Sequence, residues 1–533
     1  VFAKYFFALL LLSPAVEAQS PAVYQSLKFR HIGPDGNRTD ATAGVPGDPL
    51  TYYAGAASGG IWKSVDGGDS WKPIFDDQEV SSIGALAVST SDPAIVWAGT
   101  GEPFIRSHIS VGNGMYKSTD AGKTWKHMGL EKTGRISRVL IDPHDPNIVF
   151  ACSLGHAYTP QPDRGVFRTT DGGVTWTKVL FADENTGCSD LAFSPASSHV
   201  LLAGMWQLEI HPWGRSSGGP LGGIYKSTDG GTTWKFLTGH GLPHSPVGKV
   251  AIAFAPSDAN RVYAQIETGD GLPFQGNPPQ SGSLWRSEDG GDNWRLISSD
   301  RNLAGRFHYF ARQAVNPVNE NEIYFLSTIV SVSYDGGHTA GDITNTTGAA
   351  GRGGLNRFRD PQSVGQDNHD IWIDPDGKRM IIAGDFGVSI SLNRGKTWVK
   401  KNLPIAQMYH ATTDNQIPYY VYGNKQDGPS YAGPSNSLEA PGLSGAGISR
   451  ASPLPIRLTP ISSGRPPAAQ AQSAASWSVL IIGHTVLATS KSGPKAPPAH
   501  PRLKSNTASS GPFRSKSRPS TTTSSTSAAS SST

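Results

Sequence analysis

One short segment recurs seven times. WKSVDGGDSW (62–71), YKSTDAGKTW (116–125), FRTTDGGVTW (167–176), YKSTDGGTTW (225–234) and WRSEDGGDNW (285–294) are followed by the looser SVSYDGGHT (331–339) and SISLNRGKTW (389–398). The acidic position falls at Asp66, Asp120, Asp171, Asp229, Asp289 and Asp335, and becomes Asn393 in the last copy. Each copy reads as a strand, a tight turn and a returning strand, six of them with a tryptophan on the return. Hairpins repeating every 46 to 60 residues predict an all-β chain: a β-propeller of about seven four-stranded antiparallel blades.

The third repeat gives the plan of a blade. ISRVLID (136–142) and IVFACS (148–153) flank a PHDPN turn, and GVFRTT (165–170) and TWTKVL (175–180) flank the Asp-Gly turn. Because successive strands are antiparallel, the first-to-second and third-to-fourth turns must share one face of the disc. The other face receives the links between blades and the long insertions 100–114, 153–165, 205–223 and 266–283. Varied loops on a rigid scaffold are the expected place for a ligand. An eighth unit begins at 409–414 and 419–423 with no third strand or Asp-Gly turn legible after it. SLKFRHIG (26–33) resembles a fourth strand without its blade, so closure at seven or beyond stays open.

Residues 1–18 read as an export signal: Lys4, an apolar run from Tyr5 to Leu12, and Val16-Glu17-Ala18 ahead of Gln19. No apolar stretch is long enough to span a bilayer as a helix, so the chain is expected to be secreted or periplasmic. Cys152 and Cys188 fall near the same end of adjacent blades, leaving a disulfide and two buried thiols both open. The propeller is assigned to 19–435 and a low-complexity tail to 436–533. After Glu439 there are ten Lys and Arg and no Asp or Glu, so the remainder holds 36 basic against 42 acidic residues. That balance argues against a nucleic-acid surface. The tail reads as disordered or as a shifted reading frame.

The repeated [ST]-x-D-x-G-x-[TS]-W resembles the Asp-box, or BNR repeat. Residues 25–435 resemble the bacterial sortilin/VPS10-like and xyloglucanase-like propellers described as BNR-repeat glycosyl hydrolases. The resemblance implies a structural role for the box residues, a polysaccharide or a peptide or protein ligand, and two acids on two propellers if the chain is a xyloglucanase.

The insertion face and the inter-blade links supply the candidate site. Arg106, His108, His156, Trp206, Trp213, Arg306, His308 and His369 are candidate ligand-binding residues, because rings beside charges suit sugars or peptides. Trp206 and Trp213 could equally serve to fold their own loop. Glu102, Glu209, Glu267, Asp367, Asp370 and Asp385 are the candidate carboxylates for glycoside hydrolysis, which needs two across the scissile bond. The main reading is a secreted scaffold binding a glycan or peptide, and the alternative is a xyloglucanase-like glycoside hydrolase acting on β-glucan. The cluster 365–377 is too weak to assign a metal: Asp374 and Asp376 match ordinary turns, leaving Asp367 and His369. No cofactor is assigned.

Overall fold

The computed structural model describes residues 32–34, 36, 38–106, 109–268, 274–275, 283–300, 303, 306–343, 364–426, 430–436, 443–444, 478–481 and 486–489. Seven four-stranded antiparallel blades follow one another along the chain. Their innermost strands are Thr39–Gly44, Ile83–Val88, Ile136–Ile141, Thr186–Ser194, Val250–Ala255, Arg312–Asn316 and Asn368–Ile373. The second strands, such as Val96–Thr100 and Val149–Ser153, are buried along their length. The core is a series of apolar clusters between adjacent blades, for example Phe150, Cys152 and Leu180 against Leu191, Leu201 and Tyr225.

The ring closes at seven. Blade 7 meets blade 1 where Asp370 accepts the Thr42 N–H at 3.1 Å and Asp374 accepts the Gly47 N–H at 3.2 Å. Thr39 Oγ1 donates to the Gly387 carbonyl at 2.6 Å. Among the described residues each of these blades takes its four strands from one continuous stretch. The segment after the ring also departs from expectation: Met408–Thr413 and Tyr420–Lys425 are joined by Ser430–Pro434 and Leu443–Ser444 in a complete four-stranded sheet. The third strand was not legible because it carries no Asp-box. Of the residues from Gly464 on, only the hairpin Ser478–Ile481 with Val486–Thr489 is described. The segments 1–18 and 26–31, and most of the tail, lie outside the described residues.

The box turns behave as local staples. In blade 1, Ser64 Oγ donates to Asp66 Oδ1 at 2.8 Å and accepts the Gly68 N–H at 2.8 Å. Asp66 in turn accepts the Ser70 N–H at 2.9 Å. Asn393 keeps this geometry, accepting the Thr397 N–H at 2.9 Å. The second glycine is required twice over: Gly173 has φ 97°, and a Cβ there would lie 2.5 Å from Trp97 of the preceding blade. The first-to-second turns lie on this same face, since the residue after each box aspartate donates its N–H to them, as Gly67 does to the Leu50 carbonyl and Gly172 to that of Asn147.

Hydroxyl and N–H donors on the return hold Asp120 and Asp229 down to about 2, and Asp66 and Asp171 lower still. At Asp289 and Asp335 burial opposes, but the same kind of donors leaves both at about 2. A folded pKa below the unfolded one contributes stability that is complete above the unfolded value, near 4, and lost as pH falls through the folded value. Progressive loss of ring stability between about pH 4 and pH 2 is therefore expected. Denaturant midpoints read by circular dichroism across that range check it, and a midpoint flat down to pH 2 would refute the role of these carboxylates.

Candidate ligand-binding face

The opposite face is built as a packed layer. The second strand of blade 4, Ser197–His211, runs past its blade and folds back through Gly214–Ser217, pairing Leu208 with Ser217 and His211 with Gly214. Trp206, Leu208 and Ile210 at its base pack against Ile105, Ile109, Leu154 and Ala157 from two other insertions. Two buried arginines pin these loops through backbone carbonyls. Arg135 reaches Gly155 and Ile109, and Arg164 reaches Leu208, His156 and Thr159. Burial with few opposing charges pulls both down to about 10.

Trp213 stands at the hairpin tip, 83% exposed. Its ring stacks on His211 at 4.7 Å and 5°, and His211 Nε2 lies 2.9 Å from Glu209 Oε1. A large exposed ring held flat by a partner, with a carboxylate beside it, can stack on a sugar face and accept its hydroxyls.

A second group lies buried where the innermost strands begin. In blades 1, 3, 4 and 7 the register skips Asp40, Ser137, Ser189 and His369, and in blade 2 it skips Gly84. A bulge re-aims the skipped side chain out of the ladder. His369 Nδ1 is 2.8 Å from the Thr39 carbonyl, so that nitrogen carries the proton. Nε2 then accepts from Tyr309 Oη at 3.2 Å and from Arg38 at 3.3 Å. Burial and the Arg38 charge push His369 well below the usual histidine range, consistent with this neutral ring. Arg38 also meets Asp40, Glu102 and Asp385 at 3.5, 3.3 and 3.6 Å. Asp40 accepts no hydrogen bond among the described residues, and burial, with Glu102 nearby, raises it well above the carboxylate range. Arg106 roofs this cluster, bonding Glu102 at 2.8 Å, Gln407 at 2.7 Å and Gln426.

The expected site residues thus separate. Glu209, Trp213 and the exposed Arg306 are at the surface, and His156 and Asp367 are half-buried. Glu102, Asp385, His369 and Arg106 share the axial cluster. Glu267 is buried beside blade 5, where Ser217 Oγ donates to it at 2.6 Å and Lys249 N–H at 2.9 Å. Asp370 is buried among Arg138, Arg312 and the Thr42 N–H. Trp206 and His308 differ from the exposure expected of them: both are buried, and the Trp206 indole N–H is spent on Ser217 Oγ at 2.9 Å. Trp206 therefore folds its own loop. His108 lies outside the described residues. Asp374 and Asp376 serve turns, bonding Gly47 and Lys378 N–H groups. Among the described residues no group of three His, Cys, Asp or Glu has the geometry to hold a metal, and no helix is long and apolar enough to cross a membrane.

Sequence reasoning missed Arg38, Asp40, Lys249 and Tyr309. The buried Lys249 donates to the Tyr309 and Phe310 carbonyls at 2.8 and 2.9 Å, and burial pulls it down to about 7.

Fold and repeat define an Asp-box β-propeller. Residues 113–241 match the family model described as Sortilin-Vps10 (sortilin, neurotensin receptor 3). The chain is similar to a xyloglucanase of Paenibacillus sp., 26% identical over 46% of this chain and 24% of that protein. It is also similar to xyloglucanase Xgh74A of Acetivibrio thermocellus, 28% identical over 45% of this chain and 30% of that protein. It thus spans less than a third of these relatives. The GH74 xyloglucanase structure from Xanthomonas campestris aligns with TM-score 0.55 and 17% identity, over 79% of this chain and 63% of that one. The propeller accordingly resembles those of xyloglucanases.

Proposed function

We propose that the chain is a propeller of a secreted, polysaccharide-directed protein of the xyloglucanase type, a glycoside hydrolase when whole, and that its insertion face holds a β-glucan. The observation that carries this reading is the Trp213–His211–Glu209 hairpin, an exposed stacking platform in a chain similar to xyloglucanases. Chemistry would need a pair of carboxyls across the scissile bond, about 5–5.5 Å apart for retention or 6.5–9.5 Å for inversion. Of the described candidates, Glu209 lies at the surface beside His211, whereas Glu102 and Asp385 lie with Asp40 beneath Arg106. The reading therefore gives this propeller the task of gripping the chain of sugars. The Cys152–Cys188 disulfide suits an oxidising compartment and supports export.

Xyloglucan is expected to retard the protein in affinity electrophoresis, and Trp213→Ala to weaken that binding about tenfold, the order of one aromatic contact. Release of reducing ends would identify a hydrolase, and retention without release a binding scaffold. Indifference to xyloglucan and to other β-glucans would sink both forms. The match to the Sortilin-Vps10 model over 113–241, which includes the hairpin, supports a second reading, a peptide ligand on the same face. Competition of a peptide library against xyloglucan decides between them.

A further inference from the structure

The Asp-box face carries a rule that five of its seven junctions keep. Three residues before the box aspartate, a basic side chain of blades 1 to 5 reaches the backbone of the next box turn. Lys63 donates to the Ala121 carbonyl at 2.8 Å, Lys117 to Gly172 at 3.1 Å and Arg168 to Gly230 at 2.6 Å. Lys226 reaches Gly290 at 3.0 Å and Arg286 reaches Gly336 at 2.9 Å. These contacts join blades 1 to 6 in turn. In blade 7 the position is Ile390 and in blade 6 it is Val332, neither of which can donate. The box that Val332 faces is also altered, because Asn393-Arg394 replaces Asp-Gly. Arg394 adopts φ 62°, in the left-handed region where five of the other boxes have glycine and one has Ala121. Its guanidinium bonds the fully buried Glu322 at 2.7 Å, an ion pair where blades 1 to 5 place a bond to the next box-turn backbone.

The missing cross-link leaves a groove of about 470 Å³ between the two box turns, within the range of about 300–1,000 Å³ typical of small-molecule sites. Val332 and Ile343 form its buried apolar floor, Tyr334 stands 62% exposed at its side, and Arg394 and the exposed Lys396 line one wall. Asp335 and Asp342 line it as well. At the junction of blades 6 and 7 the lost cross-link coincides with a long charged residue, Arg394, held at positive φ, a departure from the repeat's own rule of the kind expected where function has displaced structure.

We propose that this groove is a second saccharide site, separate from the insertion face, and that it takes a uronic-acid residue. An exposed phenol ring offers a stacking surface with a polar edge. The Lys396 ammonium, which makes no ion pair among the described residues, supplies a charge-assisted partner for one carboxylate. The two acidic side chains of the lining leave the groove close to neutral. That balance opposes a polyanionic peptide and suits a ligand with a single carboxylate per sugar.

The test titrates galacturonic-acid and glucuronic-acid trisaccharides into the full chain by calorimetry, beside their carboxyl-reduced counterparts and a Glu-rich peptide. Binding of a uronate trisaccharide is expected, weakened at least tenfold by Tyr334→Ala and by Lys396→Glu, and lost with the reduced sugars. Both side chains are exposed, so thermal midpoints of the variants should match the parent, and xyloglucan binding should be unchanged in them. No uronate binding, equal binding in Lys396→Glu, equal binding of the reduced sugar, or binding of the acidic peptide in place of the uronate would each overturn the proposal.

Discussion

Replacing Asp190 by alanine is expected to lower the stability of the ring by about 3–5 kcal/mol, the cost typical of removing one partner from a buried charge network. Asp190 sits on the innermost strand of blade 4, 1% exposed. Its Oδ1 lies 2.9 Å from Arg138 Nε of blade 3 and 3.1 Å from an Arg312 nitrogen of blade 6. Its Oδ2 accepts the Ile252 N–H of blade 5 at 3.0 Å. One carboxylate thereby ties four blades across the axis. Burial alone would raise it, but Arg138 and then Arg312 overrule burial and hold it below the usual carboxylate value. Its contribution is thus complete above the unfolded value near 4 and lost as pH falls through the folded one. In the alanine variant the half-buried Arg138 and the buried Arg312 would be left with Asp370 as the carboxylate they share, at 3.4 and 3.7 Å. Guanidinium denaturation at pH 7 reads the effect. A loss below about 1 kcal/mol, the scale of an exposed pair, would mean that water already solvates the axis.

The seven-bladed ring was legible because each blade announces itself: the box needs Ser or Thr, Asp or Asn, and Gly at fixed offsets for the bonds seen at Ser64, Asp66 and Gly68. The division of the two faces followed from strand direction alone. The site was less legible, because the residues that matter there are placed by departures from the repeat. A bulge turns Asp40 and His369 inward, and no pattern of spacing distinguishes them from their neighbours on the strand. Trp206 and Trp213 are seven residues apart in one insertion, yet one is buried and the other 83% exposed, because the hairpin leaves the blade between them. The groove at Val332 follows the same logic. Its sequence signals were the valine at a basic position and Asn393-Arg394 in the last box, which composition reads as decay of the repeat.

The Cys152–Cys188 disulfide is expected to contribute about 4 kcal/mol. The two cysteines are 36 residues apart, and constraining a loop of that length removes roughly this much chain entropy from the unfolded state. The bond joins the second strand of blade 3 to the innermost strand of blade 4, with both residues fully buried. Ser137 Oγ bridges the same junction, donating within reach of the Cys188 carbonyl at 2.9 Å and the Cys152 carbonyl at 3.1 Å. The Cys152→Ala/Cys188→Ala variant should still fold, because the apolar cluster around the bond, including Phe150, Leu191, Leu201 and Met205, remains. Its unfolding free energy from urea titration is expected to fall by 2–4 kcal/mol, the usual range for one native disulfide. No change would show that the link adds nothing to blades already fixed by packing. The more searching comparison adds Asp190→Ala. Cys188 and Asp190 flank the bulged Ser189 on one strand, so both changes loosen the same junction. Neighbouring sites that share a backbone shift are non-additive by 0.5–3 kcal/mol. Losses that sum to within about 0.3 kcal/mol would place the covalent link and the charge network in independently unfolding parts of the ring. A departure beyond that makes the inner edge of blade 4 a single cooperative element, from which the hairpin carrying Trp213 projects.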